Sequence, residues 1–147
     1  LAVARINVDR QELQDRIALV QSDGLRAAVL RARGPFDLIL CNPPYVNAQS
    51  MATLPAEYRA EPVLALAGGD DGMDFVRNLL AEAPAVMAPD SVLVLEIGNE
   101  RDFFEAAFPN LEVVWLETSA GADQVLVITR DALVSVAPGP KPGTRGK

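Results

Sequence analysis

The sequence predicts an α/β fold built on a mostly parallel sheet. Short apolar runs of strand length alternate with stretches of helical periodicity, the pattern that βαβ connections produce. Two of those runs, residues 36–41 and 92–97, are strongly apolar, and 92–97 is near-continuous, as a strand covered on both faces would be. The first run stops abruptly at Asn42-Pro43-Pro44, because proline fixes φ and has no N–H to continue a ladder.

Residues 2–15 read as a helix with Val3, Ile6 and Leu13 on one side. Ile17-Ala18-Leu19-Val20 reads as a strand ended by Gln21-Ser22-Asp23-Gly24, and residues 25–33 as one or two helical turns broken by Gly34-Pro35. After the strand at 36–41 comes a long connection, 46–71, and a loop of that length in a small domain is usually functional. Residues 72–87 read as a helix that Pro84 ends early or kinks. Pro89-Asp90-Ser91 marks a turn, 92–97 a strand and 100–108 a helix. Residues 111–116 and 124–129 are the last two strands, paired as a hairpin, so that the final strand runs antiparallel. Residues 1–134 form one portion, and 135–147, rich in proline and glycine, are expected to be a disordered tail. The chain opens on Leu1 in mid-helical pattern, which reads as a piece of a longer protein.

Composition narrows the chemistry. The chain has 147 residues, 50% of them hydrophobic, enough for a real core. No apolar run approaches the roughly 18–20 residues of a membrane span, and Leu1-Ala2-Val3-Ala4-Arg5 does not read as a signal peptide. There is one cysteine, Cys41, and no histidine. Within this chain that excludes a Cys/His zinc site and any histidine-dependent catalytic triad, and it suits a cytoplasmic protein. A net charge of −7 disfavours binding to phosphate backbones.

The run Asn42-Pro43-Pro44-Tyr45 lies where open parallel sheets bind ligands, at the carboxyl end of a strand. A planar amide or amino nitrogen has a delocalised lone pair and two N–H donors. An acceptor for each donor orients it and raises its electron density. The Asn42 side-chain oxygen and the Pro43 carbonyl suit those two roles, and Tyr45 offers a flat face to the planar group. Attack on a sulfonium methyl needs alignment more than it needs a general base, which agrees with the absence of histidine. The bland alternative is a Pro-Pro turn capped by Asn42 with Tyr45 on the surface. Asp70 and Asp71 are better read as a cap for the following helix than as metal ligands. Cys41, Trp115, Phe103 and Phe104 read as core.

With these residues in view, the chain resembles the amino-group methyltransferases of the Rossmann-like class I type. Three stretches, Asn42-Pro43-Pro44-Tyr45-Val46, Leu54-Pro55-Ala56-Glu57-Tyr58-Arg59-Ala60-Glu61-Pro62 and Leu64-Ala65-Leu66-Ala67-Gly68-Gly69-Asp70-Asp71-Gly72, are similar to the protein-(glutamine-N5) methyltransferases. The middle stretch, and Leu95-Glu96-Ile97-Gly98-Asn99-Glu100, look more like the branch that modifies a large-subunit ribosomal protein than the branch that modifies release factors. The resemblance covers about residues 1–130. It implies S-adenosyl-L-methionine as methyl donor and a ribosomal protein as substrate. It places Asn42, Pro43, Pro44, Tyr45 and Glu61 at the substrate amide, with Asn42, Pro43 and Tyr45 as the catalytic set. It places Asp23 and Gly24 near the donor's adenine and Asn42 beside its methionine part. A turn or helix-cap aspartate remains the alternative for Asp23, and a solvated loop carboxylate for Glu61.

The resemblance also implies parts this chain does not contain. The glycine-rich loop of the donor site and the acidic residue that holds the ribose would lie upstream of Leu1, with the strands that carry them. In the usual order those strands sit between 17–20 and 36–41, which leaves a gap in the sheet. The chain alone is therefore expected to bind the donor poorly, and to fold only with a partner chain, with a rearranged sheet, or by self-association through a swapped sheet. Two other readings stay open: methylation of an exocyclic amino group in a nucleic acid, and a noncatalytic interaction module.

Overall fold

The computed structural model describes residues 1–55, 58, 60–119 and 121–136. In chain order these form α1 (Ala2–Arg10), α2 (Ala28–Arg33), β1 (Phe36–Cys41), α3 (Ala48–Met51), α4 (Val63–Leu66), α5 (Asp74–Glu82), β2 (Met87–Glu96), α6 (Arg101–Ala107), β3 (Val114–Thr118), β4 (Gly121–Thr129) and α7 (Arg130–Val136). The strands make one sheet in the order β1-β2-β4-β3. β1 pairs parallel to β2, β4 pairs antiparallel to β2, and β3 pairs antiparallel to β4. Three strands thus share one direction and only the last is reversed, which is the α/β class and strand sense the sequence predicts.

Burial alternates strictly from Ser91 of β2 to Ile97. Leu93, Leu95 and Ile97 are fully buried, while Val92, Val94 and Glu96 are half-exposed. The buried set meets Leu126 and Ile128 of β4, then Val76, Leu79 and Leu80 of α5, Phe104 of α6 and Leu133 of α7. Phe104 anchors this core, with Phe108 tilted at 5.0 Å and Trp115 edge-on at 6.0 Å between ring centroids. α7, which the sequence reading did not anticipate, closes the core against β2 and β4. Residues 137–147 of the expected tail lie outside the described residues.

The opposite face of the sheet is open, and this corrects the expectation that residues 92–97 are covered on both sides. Ladder partners share a face. Leu40, Val94, Val127 and Val114 are linked partner to partner across all four strands, and Leu40 and Val114 at its two ends are 71% and 61% exposed. A continuous apolar run fits a two-sided strand in the whole fold, but it carries no information on whether the covering layer is in the chain.

Three other differences have local causes. Residues 17–20 form no strand, because a strand is defined by a neighbour and none of the described residues pairs with them. The helix at the start ends at Arg10 and buries nothing, so the apolar side of residues 2–15 has no surface to pack on. Pro89-Asp90-Ser91 is a bulge within β2 and not a separating turn. The register jumps from Phe36↔Met87 to Leu38↔Val92, Asp90 takes φ +60°, and the buried Ser91 hydroxyl donates to the Ala88 carbonyl at 2.6 Å. As expected, Pro84 ends the preceding helix, in a 3-10 turn over Ala83–Ala85. Among the described residues no helix is long and apolar enough to cross a membrane.

Candidate active site

β1 delivers Asn42 to the carboxyl end of the sheet. Cys41 pairs with Leu95 in the parallel ladder, so the next residue on each strand, Asn42 and Glu96, emerge side by side. The Asn42 Nδ2 donates to Glu96 Oε2 at 3.2 Å. Burial of Cys41 behind them pushes its thiol up to about 11, which marks it as an inert strand residue at neutral pH.

The long connection after Tyr45 is a closed loop. The Val46 N–H donates to the Leu66 carbonyl and the Gly68 N–H to the Val46 carbonyl, both at 2.9 Å, and Val46 bridges Ala67. Inside the loop Asn47 caps α3, accepting the Ser50 N–H at 2.8 Å. Its Nδ2 reaches both carboxylate oxygens of Glu100 at 2.9 Å. Asn47 and Glu100 are 6% and 7% exposed, so this pair is a buried tie between the loop and the start of α6.

Between loop and sheet lies a cleft of about 760 Å³. Asn42, Pro43, Tyr45 and Glu61 all line it, with Tyr58 on the loop side and Glu96 and Glu100 on the sheet side. Pro44 is the one member of the run that does not line it. Two glycines press on Tyr45. A Cβ at Gly98, which has φ +54°, would sit 2.6 Å from Tyr45 Cε2, and one at Gly72, with φ +80°, would collide with the Tyr45 carbonyl oxygen. Only glycine tolerates both the backbone conformation and the approach. Burial raises the Tyr45 hydroxyl above its ordinary value, helped by the negative charge of Glu96 and by Tyr58 and Glu100. Tyr45 is therefore neutral at physiological pH.

Asp23 and Gly24 are not brought to this cleft. They line a separate cavity of about 140 Å³ with Arg26, Phe75, Asn78, Leu79 and Glu82. The Arg26 guanidinium spans it, donating to Glu82 Oε1 at 2.6 Å and to Asp23 Oδ2 at 3.1 Å. Gly24 takes φ +56°, so a turn conformation accounts for the glycine there. Asp71 also resolves structurally. Asp71 Oδ1 accepts the Met73 N–H at 3.0 Å, just ahead of α5, and Asp71 pairs with Arg77 through both carboxylate oxygens. This is a turn before the helix, where the sequence suggested the helix cap itself: Met73 occupies the N-cap position and makes no side-chain cap bond.

The sequence reading picked out the residues at the end of β1 and missed their supports. Glu96, Gly98 and Glu100 lie in the stretch Glu96-Ile97-Gly98-Asn99-Glu100, which follows β2 as Asn42 follows β1. The signal available was positional: adjacent parallel strands end at the same edge of the sheet, so polar residues after both share one site.

No protein-family model matches the chain. Among curated proteins it is 56% identical over 133 residues to the ribosomal protein uL3 glutamine methyltransferase of Bordetella pertussis, covering 90% of this chain and 44% of that protein. The namesakes from Burkholderia pseudomallei and Neisseria gonorrhoeae are 54% identical over 142 residues and 45% identical over 134 residues, covering 93% and 91% of this chain and 46% and 44% of theirs. The chain spans less than half the length of these curated relatives. Along about nine-tenths of its length the chain is thus similar to proteins named ribosomal protein uL3 glutamine methyltransferase.

Proposed function

We propose that this chain holds the acceptor side of an enzyme that methylates the side-chain amide nitrogen of a glutamine in a large-subunit ribosomal protein, with S-adenosyl-L-methionine as methyl donor. The observation that carries the reading is that Asn42, Pro43 and Tyr45 line one cleft at the carboxyl end of β1. In this reading the Asn42 Oδ1 and the Pro43 carbonyl each accept one N–H of the glutamine amide, and the neutral Tyr45 ring lies against its plane. Held so, the nitrogen lone pair points at the transferring carbon, and alignment is the main source of rate. The donor supplies an electrophilic methyl group when bound. Transfer would form the nitrogen–carbon bond as the donor's carbon–sulfur bond breaks, and the amide nitrogen, held by Asn42 and Pro43, would then release one proton to solvent.

The residues present fit the acceptor side better than the donor side. Asp23 and Gly24 sit in a cavity of their own, with the Asp23 carboxylate already engaged by Arg26. The same proposal therefore has this chain alone bind the donor weakly, and calorimetry that detects tight binding of S-adenosylhomocysteine to it would overturn that part. A ribosomal-protein substrate places the activity in the cytoplasm. The acidic balance, with its net charge of −7, supports a protein substrate over a nucleic acid.

The test incubates the full-length gene product with labelled S-adenosylmethionine and ribosomal proteins, with a duplex oligonucleotide in parallel. The expected result is label on one glutamine of a ribosomal protein, located by mass spectrometry. Label on the oligonucleotide alone overturns the reading and moves the same residues to a flipped base.

A further inference from the structure

We propose that Glu96 is a positioning residue that fixes which way round the Asn42 amide faces the cleft. The inference rests on the role given to Asn42 above and extends it to a second residue. An asparagine amide has nearly the same shape in its two orientations, and only its hydrogen-bond partners choose between them. In one orientation the oxygen faces the ligand and can accept an N–H. In the other the NH2 faces the ligand and repels a donor. The role of Asn42 requires the first.

An ionised carboxylate accepts hydrogen bonds and cannot donate them. Glu96 Oε2 lies 3.2 Å from Asn42 Nδ2, and both residues line the cleft. Turning the amide over would set its oxygen against the carboxylate. Among the described residues no side chain or backbone group donates to Asn42 Oδ1, so that atom is left for a ligand. The support is rigid. Glu96 ends β2, the strand held between β1 and β4, and it is itself paired with Val125. The Asn42–Glu96 contact follows from the Cys41↔Leu95 register and not from a loop conformation. Glu96 touches Asn42 and not the reacting atoms, so it acts on the chemistry only through the asparagine.

Reversing the donor and acceptor separates this role from a merely structural one. In the full-length gene product, Glu96→Gln can either accept from or donate to Asn42, so both amide orientations are populated. It should lower kcat by about two- to tenfold with the affinity for S-adenosylhomocysteine held within about twofold. Asn42→Asp sets two carboxylates together and should lose about a hundredfold or more in kcat. In the double variant Asn42→Asp/Glu96→Gln, the introduced glutamine amide donates to one oxygen of the introduced aspartate, and the other oxygen accepts the substrate N–H. It should recover at least about tenfold over Asn42→Asp. A double variant no more active than Asn42→Asp overturns the inference, as does a Glu96→Gln variant that keeps full kcat. The Asn42→Asp comparison is made in parallel with Glu96→Met, which removes the like charge but cannot donate, and kcat is taken per folded molecule where a thermal transition is lowered by more than about 10 °C. Rescue by Met equal to that by Gln overturns the inference, and rescue by Gln alone supports it. Wild-type protein run alongside distinguishes the two levels: if it does not methylate glutamine, the functional reading fails before Glu96 is tested.

Discussion

Gly98→Ala is the most informative single substitution, because the structure sets both its size and its target. At φ +54° an alanine incurs the left-handed penalty of about 1–2 kcal/mol. Its Cβ would also lie 2.6 Å from Tyr45 Cε2, 3.1 Å from Cζ and 3.2 Å from the hydroxyl oxygen. Carbon atoms prefer about 3.5–4.0 Å, so the ring must retreat by about 1 Å. Overpacking of that kind adds about 1–3 kcal/mol. The expected loss of stability is therefore about 2–5 kcal/mol, measured by urea unfolding of the full-length product. In the role proposed for Tyr45, a ring displaced by about 1 Å should lower kcat about a hundredfold. A double-mutant cycle isolates the contact. In a Tyr45→Ala background only the backbone strain remains, so Gly98→Ala should cost about 1–2 kcal/mol there. Equal cost in both backgrounds, or an unchanged kcat in Gly98→Ala, refutes the reasoning.

Phe104→Ala removes a ring that is 1% exposed and packed against Phe108 and Trp115, and should cost about 3–5 kcal/mol by urea unfolding. Asn47→Ala leaves the buried Glu100 carboxylate without its two 2.9 Å bonds and should cost about 2–3 kcal/mol, with faster amide exchange over residues 46–67 as the loop loses its tie. Asp71→Asn tests the Arg77 pair by its pH dependence. Hydrogen bonding from Arg77, and then from the Met73 N–H, holds the Asp71 carboxyl below its usual value. A folded-state value below the unfolded one contributes stability above the unfolded value of about 4, lost as pH falls through the folded value. The thermal transition of the parent should thus exceed that of Asp71→Asn at neutral pH, and the two should converge in strong acid.

The α/β class was legible in the sequence because period-two and helical patterns report which way each residue faces. So was the placement of Asn42-Pro43-Pro44-Tyr45 at the carboxyl end of the sheet: the run carries its own stop signal, and the strand before it fixes its edge. The helix break at Pro84 was legible for the same reason, since proline acts through its own ring and missing N–H. What stayed hidden depends on neighbours. Residues 17–20 have strand composition, but a strand exists only with a hydrogen-bonded partner, and none of the described residues provides one. The run 92–97 looked covered on both faces, yet apolarity cannot say whether the covering layer is in the same chain.

The support of the site belongs to the tertiary structure too. The meeting of Asn42 with Glu96 depends on the register between two strands far apart in the chain. The Asn47–Glu100 tie depends on how a long loop folds back. The pressure of Gly98 on Tyr45 is visible only as a distance. A linear sequence determines which residues can accept, donate or stop a strand, because those are properties of single side chains. Which acceptor faces which donor is decided by long-range pairing, and here that pairing placed the Glu96 carboxylate beside the amide of Asn42.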